Sequence, residues 1–107
     1  MSGPDTSCIL SSLRLHLAAL YGSRLRGLYV FGSFARGDSH PDSDLDVLVV
    51  LDRIDAYAEE IRRTGGIFSS LSLEAETSIV PVFVAESDWT AAATAFLANV
   101  RREARAA

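Results

Sequence analysis

The sequence predicts an α/β (α+β) fold in which helices pack on a small mixed β-sheet of three or more strands. Three observations carry this expectation. Leucines at helical spacing open the chain, two short aliphatic runs follow in succession, and a third run stands between two further helical stretches. The resulting order is helix, strand, strand, helix, strand, helix, which calls for a layered domain with helices laid on a sheet. At 107 residues the chain is expected to form one domain, with enough length to bury a real core.

Thr6–Tyr21 carries Leu10, Leu13, Leu17 and Leu20, a three-and-four spacing that places one apolar stripe on a helix, and Gly22 stands where such a helix stops. Leu25–Phe31 is short, apolar and aromatic, and it ends at Gly32, the pattern of a strand. Ser33–Gly37 has room for a helical turn before a loop, Asp38–Ser43, that holds Pro41 and several turn formers. Leu45–Leu51 is almost continuously aliphatic, as expected of a strand covered on both faces.

Asp55–Leu71 reads as a helix, with a break or early end expected at Gly65–Gly66. Thr77–Ala85 is β-rich, and Pro81, which has no N–H to donate, places it at an edge or a bulge. Ser87 is the expected N-cap of a last helix that buries Trp89, Ala92, Phe96, Leu97 and Val100. The first few residues and the Arg/Ala-rich tail after Val100 look disordered.

Composition narrows the function classes. The formal charge is −4 and all ten basic residues are Arg, a balance that disfavours general nucleic-acid binding through the phosphate backbone. Cys8 is the single cysteine, so neither an intramolecular disulfide nor a thiolate-rich zinc site is expected. There is no signal-peptide pattern and no apolar run long enough for a bilayer, so the expected location is the cytoplasm, with no membrane partner. Six aspartates (Asp38, Asp42, Asp44, Asp46, Asp52 and Asp55) crowd one short stretch, and their repulsion is costly without cations or arginines beside them.

The chemistry concentrates between the first two strands. Gly32 closing a strand and Ser33 opening a helical turn leave backbone N–H groups free for a phosphate, and glycine permits close approach. Alone, the pair is ordinary turn material. Asp44 and Asp46 flank Leu45 at the start of the next strand, where alternation points both carboxylates the same way. Two such carboxylates suit a hard cation such as Mg²⁺, which takes carboxylate and phosphate oxygens together. Arg36 has the geometry to grip a phosphate oxygen or to pair with neighbouring acids, and Ser43 precedes the aspartates. His40 reads as an exposed loop residue.

The run GSFARGDSHPDSDLDV resembles the signature of the DNA polymerase β-like nucleotidyltransferase superfamily: Gly-Ser, ten residues, then Asp-x-Asp. Gly32, Ser33, Ala35, Arg36, Gly37, Ser43, Asp44 and Asp46 match it in register. LYGSRLRGLYVF upstream, with VPVFVAESDW and FLANVRRE downstream, extends the resemblance over nearly the whole chain, toward the short bacterial members, the minimal nucleotidyltransferase (MNT-domain) antitoxins.

The resemblance implies that Gly32 and Ser33, with Arg36 and Ser43, bind a nucleoside triphosphate. Asp44 and Asp46 would be the catalytic and metal-binding pair for two Mg²⁺ ions, with ATP as substrate. It also implies a HEPN-type toxin as partner, onto whose tyrosine AMP is transferred. A third carboxylate from a later strand completes the family's site, yet Thr77–Ala85 holds no acid. Glu74 and Glu76, just before it, share one face if that segment is extended. Two alternatives stand beside AMP transfer: a degenerate, non-catalytic protein that neutralises its partner by binding, and a small-molecule (antibiotic) nucleotidyltransferase.

Overall fold

A computed structural model of the chain describes residues 6–40 and 42–107. The expectations for Pro41 and for the first few residues fall outside this range. Four strands form one mixed sheet in the order β3-β2-β1-β4. β1 (Leu25–Phe31) and β2 (Leu45–Leu51) are antiparallel, β3 (Ile79–Ala85) lies parallel to β2, and β4 (Arg105–Ala106) is antiparallel to β1. β3 is an edge strand, so the missing N–H of Pro81 faces no neighbouring strand.

The sheet is covered on both sides, which explains why β2 is aliphatic at nearly every position. Leu45, Val47, Val49 and Leu51 face one layer, joined by Leu28, Val30, Ile79 and Phe83 from the other strands. Against them pack α1 (Thr6–Tyr21) and α3 (Tyr57–Ala75), through Ile9, Leu13 and Leu17 and through Phe68 and Leu71. Leu48 and Val50 face the opposite layer with Phe31, Val84, Leu97 and Val100. Alternation along one strand thus feeds two cores, and Asp46 falls on the second of these faces.

In α1 the buried row is Ile9, Leu13, Leu17 and Tyr21, rotated slightly from the expected leucine stripe, with Leu20 41% exposed. A strict four-residue row drifts around a helix, and Tyr21 gains by ending it. Its hydroxyl donates to the buried Glu60 carboxylate at 2.6 Å, and Arg63 and Arg24 approach the same carboxylate at 3.2 and 3.5 Å. Burial first, and this bond second, push the Tyr21 hydroxyl well above its ordinary range.

Four expectations about the helices are corrected. α3 runs unbroken through Gly65 and Gly66, because Glu60, Thr64, Phe68 and Leu71 form a continuous buried row while both glycines face outward. Packing on that row outweighs a propensity loss of about 1 kcal/mol per glycine. The last helix is two: α4 (Glu86–Ala91) ends with Ala92 in a left-handed conformation, and α5 (Ala95–Glu103) starts at Thr94, whose hydroxyl accepts from the Leu97 N–H at 3.1 Å. Ser87 lies inside α4 rather than capping it, and Phe96 is 48% exposed.

The tail is ordered. α5 continues to Glu103 and β4 joins the sheet, with the Ala107 N–H bonded to the Leu28 carbonyl at 2.9 Å and Arg14 donating to the Ala107 carbonyl at 2.9 Å.

A side chain built on Gly65 or Gly66 meets no atom within 4 Å, and neither residue has a left-handed backbone. Gly65→Ala and Gly66→Ala are each expected to raise unfolding free energy by ~0.5–1 kcal/mol. Urea denaturation of the single variants checks this, and a loss of stability in either would mean that α3 does break there.

Candidate functional site

The site lies where the antiparallel pair β1–β2 delivers a turn and an acidic strand end to the same place. Phe31, the last residue of β1, is the register partner of Asp46. The next residue, Gly32, has φ +75° and ψ −153°, a conformation closed to residues bearing a side chain. A Cβ at Gly32 would also collide with the Asp46 carboxylate. Glycine is therefore required for the backbone angle, and its missing Cβ leaves room for the carboxylate that lies against it. α2 (Ser33–Arg36) starts here and ends at Gly37, which is left-handed at φ +80°. Ala35 buries its methyl group beneath this turn.

The structure brings Gly32 and Asp46 into contact, with Ser33 opening α2 beside them and Asp44 at the mouth of β2. Asp44 is exposed and Asp46 half-buried, while Leu45 between them is 2% exposed in the core. Burial foremost, and then the Asp44 charge, push the Asp46 carboxyl above its ordinary range; Arg36 opposes this and Glu103 adds to it. Arg36 pairs with Asp38 at 3.3 Å and with Glu103 at 3.2 Å. Ser43 closes the loop: its hydroxyl accepts from the His40 N–H at 3.0 Å and its own N–H donates to the His40 carbonyl at 2.8 Å. His40 is exposed, as expected.

Glu74 and Glu76 do not share an extended face. Glu74 sits in the last turn of α3, and Glu76 caps that helix in a left-handed conformation; both are exposed. β3 begins only at Ile79, and the residue beside Asp46 is Val80. Among the described residues no three His, Cys, Asp or Glu side chains are grouped to hold a metal. Two carboxylates beside the Gly32 turn still fit Mg²⁺ in its usual form, which takes one or two protein carboxylates and fills its shell with phosphate oxygens and water.

Glu103 is the site residue that the sequence reading missed. Its carboxylate accepts from the Gly32 N–H at 2.5 Å and from Arg36. The signal was present in the row Leu97, Val100, Glu103, three residues apart on one side of α5. Treating the tail as disordered hid it.

The family model described as "Nucleotidyltransferase domain" matches residues 10–69, more than half of the chain and the whole Gly32–Asp46 segment. The chain belongs to the nucleotidyltransferase domain family. No curated protein matches it. Solved structures similar in fold include a toxin–antitoxin crystallised with AMP-PNP (TM-score 0.60, 18% identity, covering 88% of this chain and 68% of the other). A second is the toxin–antitoxin MntA–HpeT (0.60, 17%, 97% and 72%). A third is a candidate nucleotidyltransferase from Sulfolobus solfataricus (0.55, 17%, 99% and 89%). Among the described residues, no helix is long and apolar enough to cross a membrane.

Asp46 carries a cost in the ligand-free protein. Its folded-state pKa lies above the ordinary value, so its contribution to stability is present in acid and lost as pH rises through that folded pKa. Asp46→Asn is accordingly expected to raise the melting temperature at neutral pH. Asp44→Ala should raise it or leave it unchanged, whereas Leu45→Ala should cost ~2–5 kcal/mol. Comparable losses for Asp44→Ala and Leu45→Ala in thermal melts would make Asp44 a structural residue.

Proposed function

We propose that this protein binds a magnesium-complexed nucleoside triphosphate at Gly32, Ser33, Arg36, Ser43, Asp44 and Asp46. We further propose that it transfers AMP from ATP to a partner protein, as the antitoxin of a toxin–antitoxin pair with a HEPN-type toxin. One observation carries the reading: the Gly32 turn and the Asp46 carboxylate are in contact at the ends of two paired strands. Anion-accepting amides and cation-accepting oxygens thereby meet, as a metal–triphosphate requires.

The Gly32–Ser33 turn would take phosphate oxygens on its backbone N–H groups, and Arg36 would add a charge-assisted bond. Asp44 and Asp46 would hold Mg²⁺, which when bound would supply charge neutralisation for the phosphates and the reacting oxygens. In the transfer, a tyrosine hydroxyl oxygen of the partner bonds to the α-phosphorus. The bond to pyrophosphate breaks, and the hydroxyl proton passes to solvent. The chain's own residues supply position and electrostatic complementarity. Family membership supports the reaction class, and the structural likeness to two toxin–antitoxin proteins, one crystallised with AMP-PNP, motivates the partner and the nucleotide.

A second reading, a non-catalytic protein that masks its partner by binding, is favoured by one observation: among the described residues no third acid joins Asp44 and Asp46 in a metal-holding group. Incubation with radiolabelled ATP, Mg²⁺ and the candidate toxin separates the two. Label on the toxin, lost in Asp44→Asn/Asp46→Asn, is the expected result; toxin bound and silenced without label establishes the masking reading.

Mg²⁺ and ATP should also bind cooperatively, because each relieves repulsion felt by the other. Ligand at ten times its Kd stabilises by ~1.4 kcal/mol, worth roughly 5–10 °C in a domain of this size. Thermal stabilisation by both together should exceed the sum of each alone, and an unchanged melting temperature with millimolar Mg–ATP would overturn the nucleotide site.

A further inference from the structure

Glu103 sits where the proposed triphosphate would bind. Its Oε2 accepts from the Gly32 N–H at 2.5 Å and lies 3.2 Å from Arg36 Nη1, with Oε1 at 3.5 Å from the same nitrogen. The amide and the guanidinium are two of the donors assigned above to phosphate oxygens. A carboxylate is a two-oxygen anion of the same donor preference, so it fills these bonds in a phosphate's place. Its position is electrostatically poor in every other respect, since its charge adds to the repulsion already acting on Asp46.

The fold puts it there. α5 ends at Glu103, two residues before β4, which pairs Arg105 with Val30 and Ala106 with Tyr29 and so holds the end of the helix beside the Gly32 turn. Glu103 ends a helix that Leu97 and Val100 seat on the sheet, but the stretch just beyond it is slight: β4 has two residues, both exposed, anchored by the bonds from Ala107 to Leu28 and from Arg14 to Ala107. Such short, solvated pairing opens at low free-energy cost, and rotation of the partly exposed Glu103 side chain is enough to free the Gly32 amide.

We propose that Glu103 is a built-in competitor for the triphosphate, an autoinhibitory contact whose carboxylate must leave Gly32 and Arg36 before nucleotide can bind. The proposal rests on the nucleotide-binding reading above and adds its regulation. Affinity is then reduced by the fraction of molecules in which Glu103 is engaged. Whatever opens β4 or turns the Glu103 side chain away, a docked partner included, raises it.

The test is titration calorimetry of the full chain with Mg–ATP, comparing the unaltered protein with Glu103→Gln and Glu103→Ala. The Gly32 amide is followed in ¹H–¹⁵N correlation spectra, which also report whether each variant is folded. Glu103→Gln keeps the shape but replaces a charge-assisted bond with a neutral one. It is expected to bind Mg–ATP about tenfold more tightly, Glu103→Ala at least as tightly, and both to shift the Gly32 resonance. Magnesium-free tripolyphosphate should show the same ranking. Equal affinity in all three proteins overturns the competitor and leaves the nucleotide site standing. Weaker Mg–ATP binding by the variants also overturns it and makes Glu103 a contributor to the metal–nucleotide site. No binding by any of the three overturns the nucleotide reading and the competitor with it.

Discussion

The pairing of Phe31 with Asp46 across β1 and β2 is the constraint on which the site depends. Because side chains alternate strictly along a strand, sliding this pair by one residue would turn Asp46 into the core and Leu45 out of it. Leu45, Val47, Val49 and Leu51 on one face and Leu48 and Val50 on the other are all buried, so the register is fixed by two cores at once. The energy that fixes the site is therefore apolar and lies away from it. The polar groups at the strand ends inherit their positions, and the Phe31–Asp46 pairing lays the Asp46 carboxylate against Gly32, where no Cβ stands in the way.

That arrangement lets an unfavourable charge distribution persist. The half-burial of Asp46 carries a desolvation cost, and Asp44 and Glu103 both repel its carboxylate where Arg36 is the offsetting cation. Such local cost is tolerable only where the surrounding structure over-determines the geometry. Here the over-determination comes from the sheet and the helices on both of its faces. A cation and a polyanion arriving together would relieve both components of the strain, which gives the nucleotide-site reading a physical rationale beyond motif agreement. Glu103 supplies a partial substitute, filling the anion position without supplying the cation.

α5 and β4 tie this region to the far end of the chain. Thr94 caps α5, Leu97 and Val100 seat it on the sheet, and the same helical row ends in Glu103 at the Gly32 turn. Helix packing and anion mimicry thus belong to one element, so a change in how α5 sits on Leu48 and Val50 would be felt at the turn.

The sequence by itself determined what periodicity and residue type can carry. That α1 is a helix buried through Leu13 and Leu17, that β2 is covered on both faces and that the sheet is mixed follow from spacing, while the missing N–H of Pro81 left an edge or a bulge, of which the structure takes the edge. The Gly-Ser turn and the Asp-x-Asp pair were legible in combination, through their spacing and their resemblance to the nucleotidyltransferase signature, since a Gly-Ser pair alone is ordinary turn material. Other features were decided only in three dimensions. The unbroken passage of α3 through Gly65–Gly66 depends on a buried row that offsets two poor helix formers. The capping of that helix by Glu76 removes Glu74 and Glu76 from the site, since an extended segment was needed to aim them at it. β4 has too few residues for any period and is held by backbone bonds that carry no side-chain signature. Glu103, 71 residues from Gly32 in sequence, reaches the turn because α5, seated by Leu97 and Val100, ends there and β4 holds the chain just beyond it.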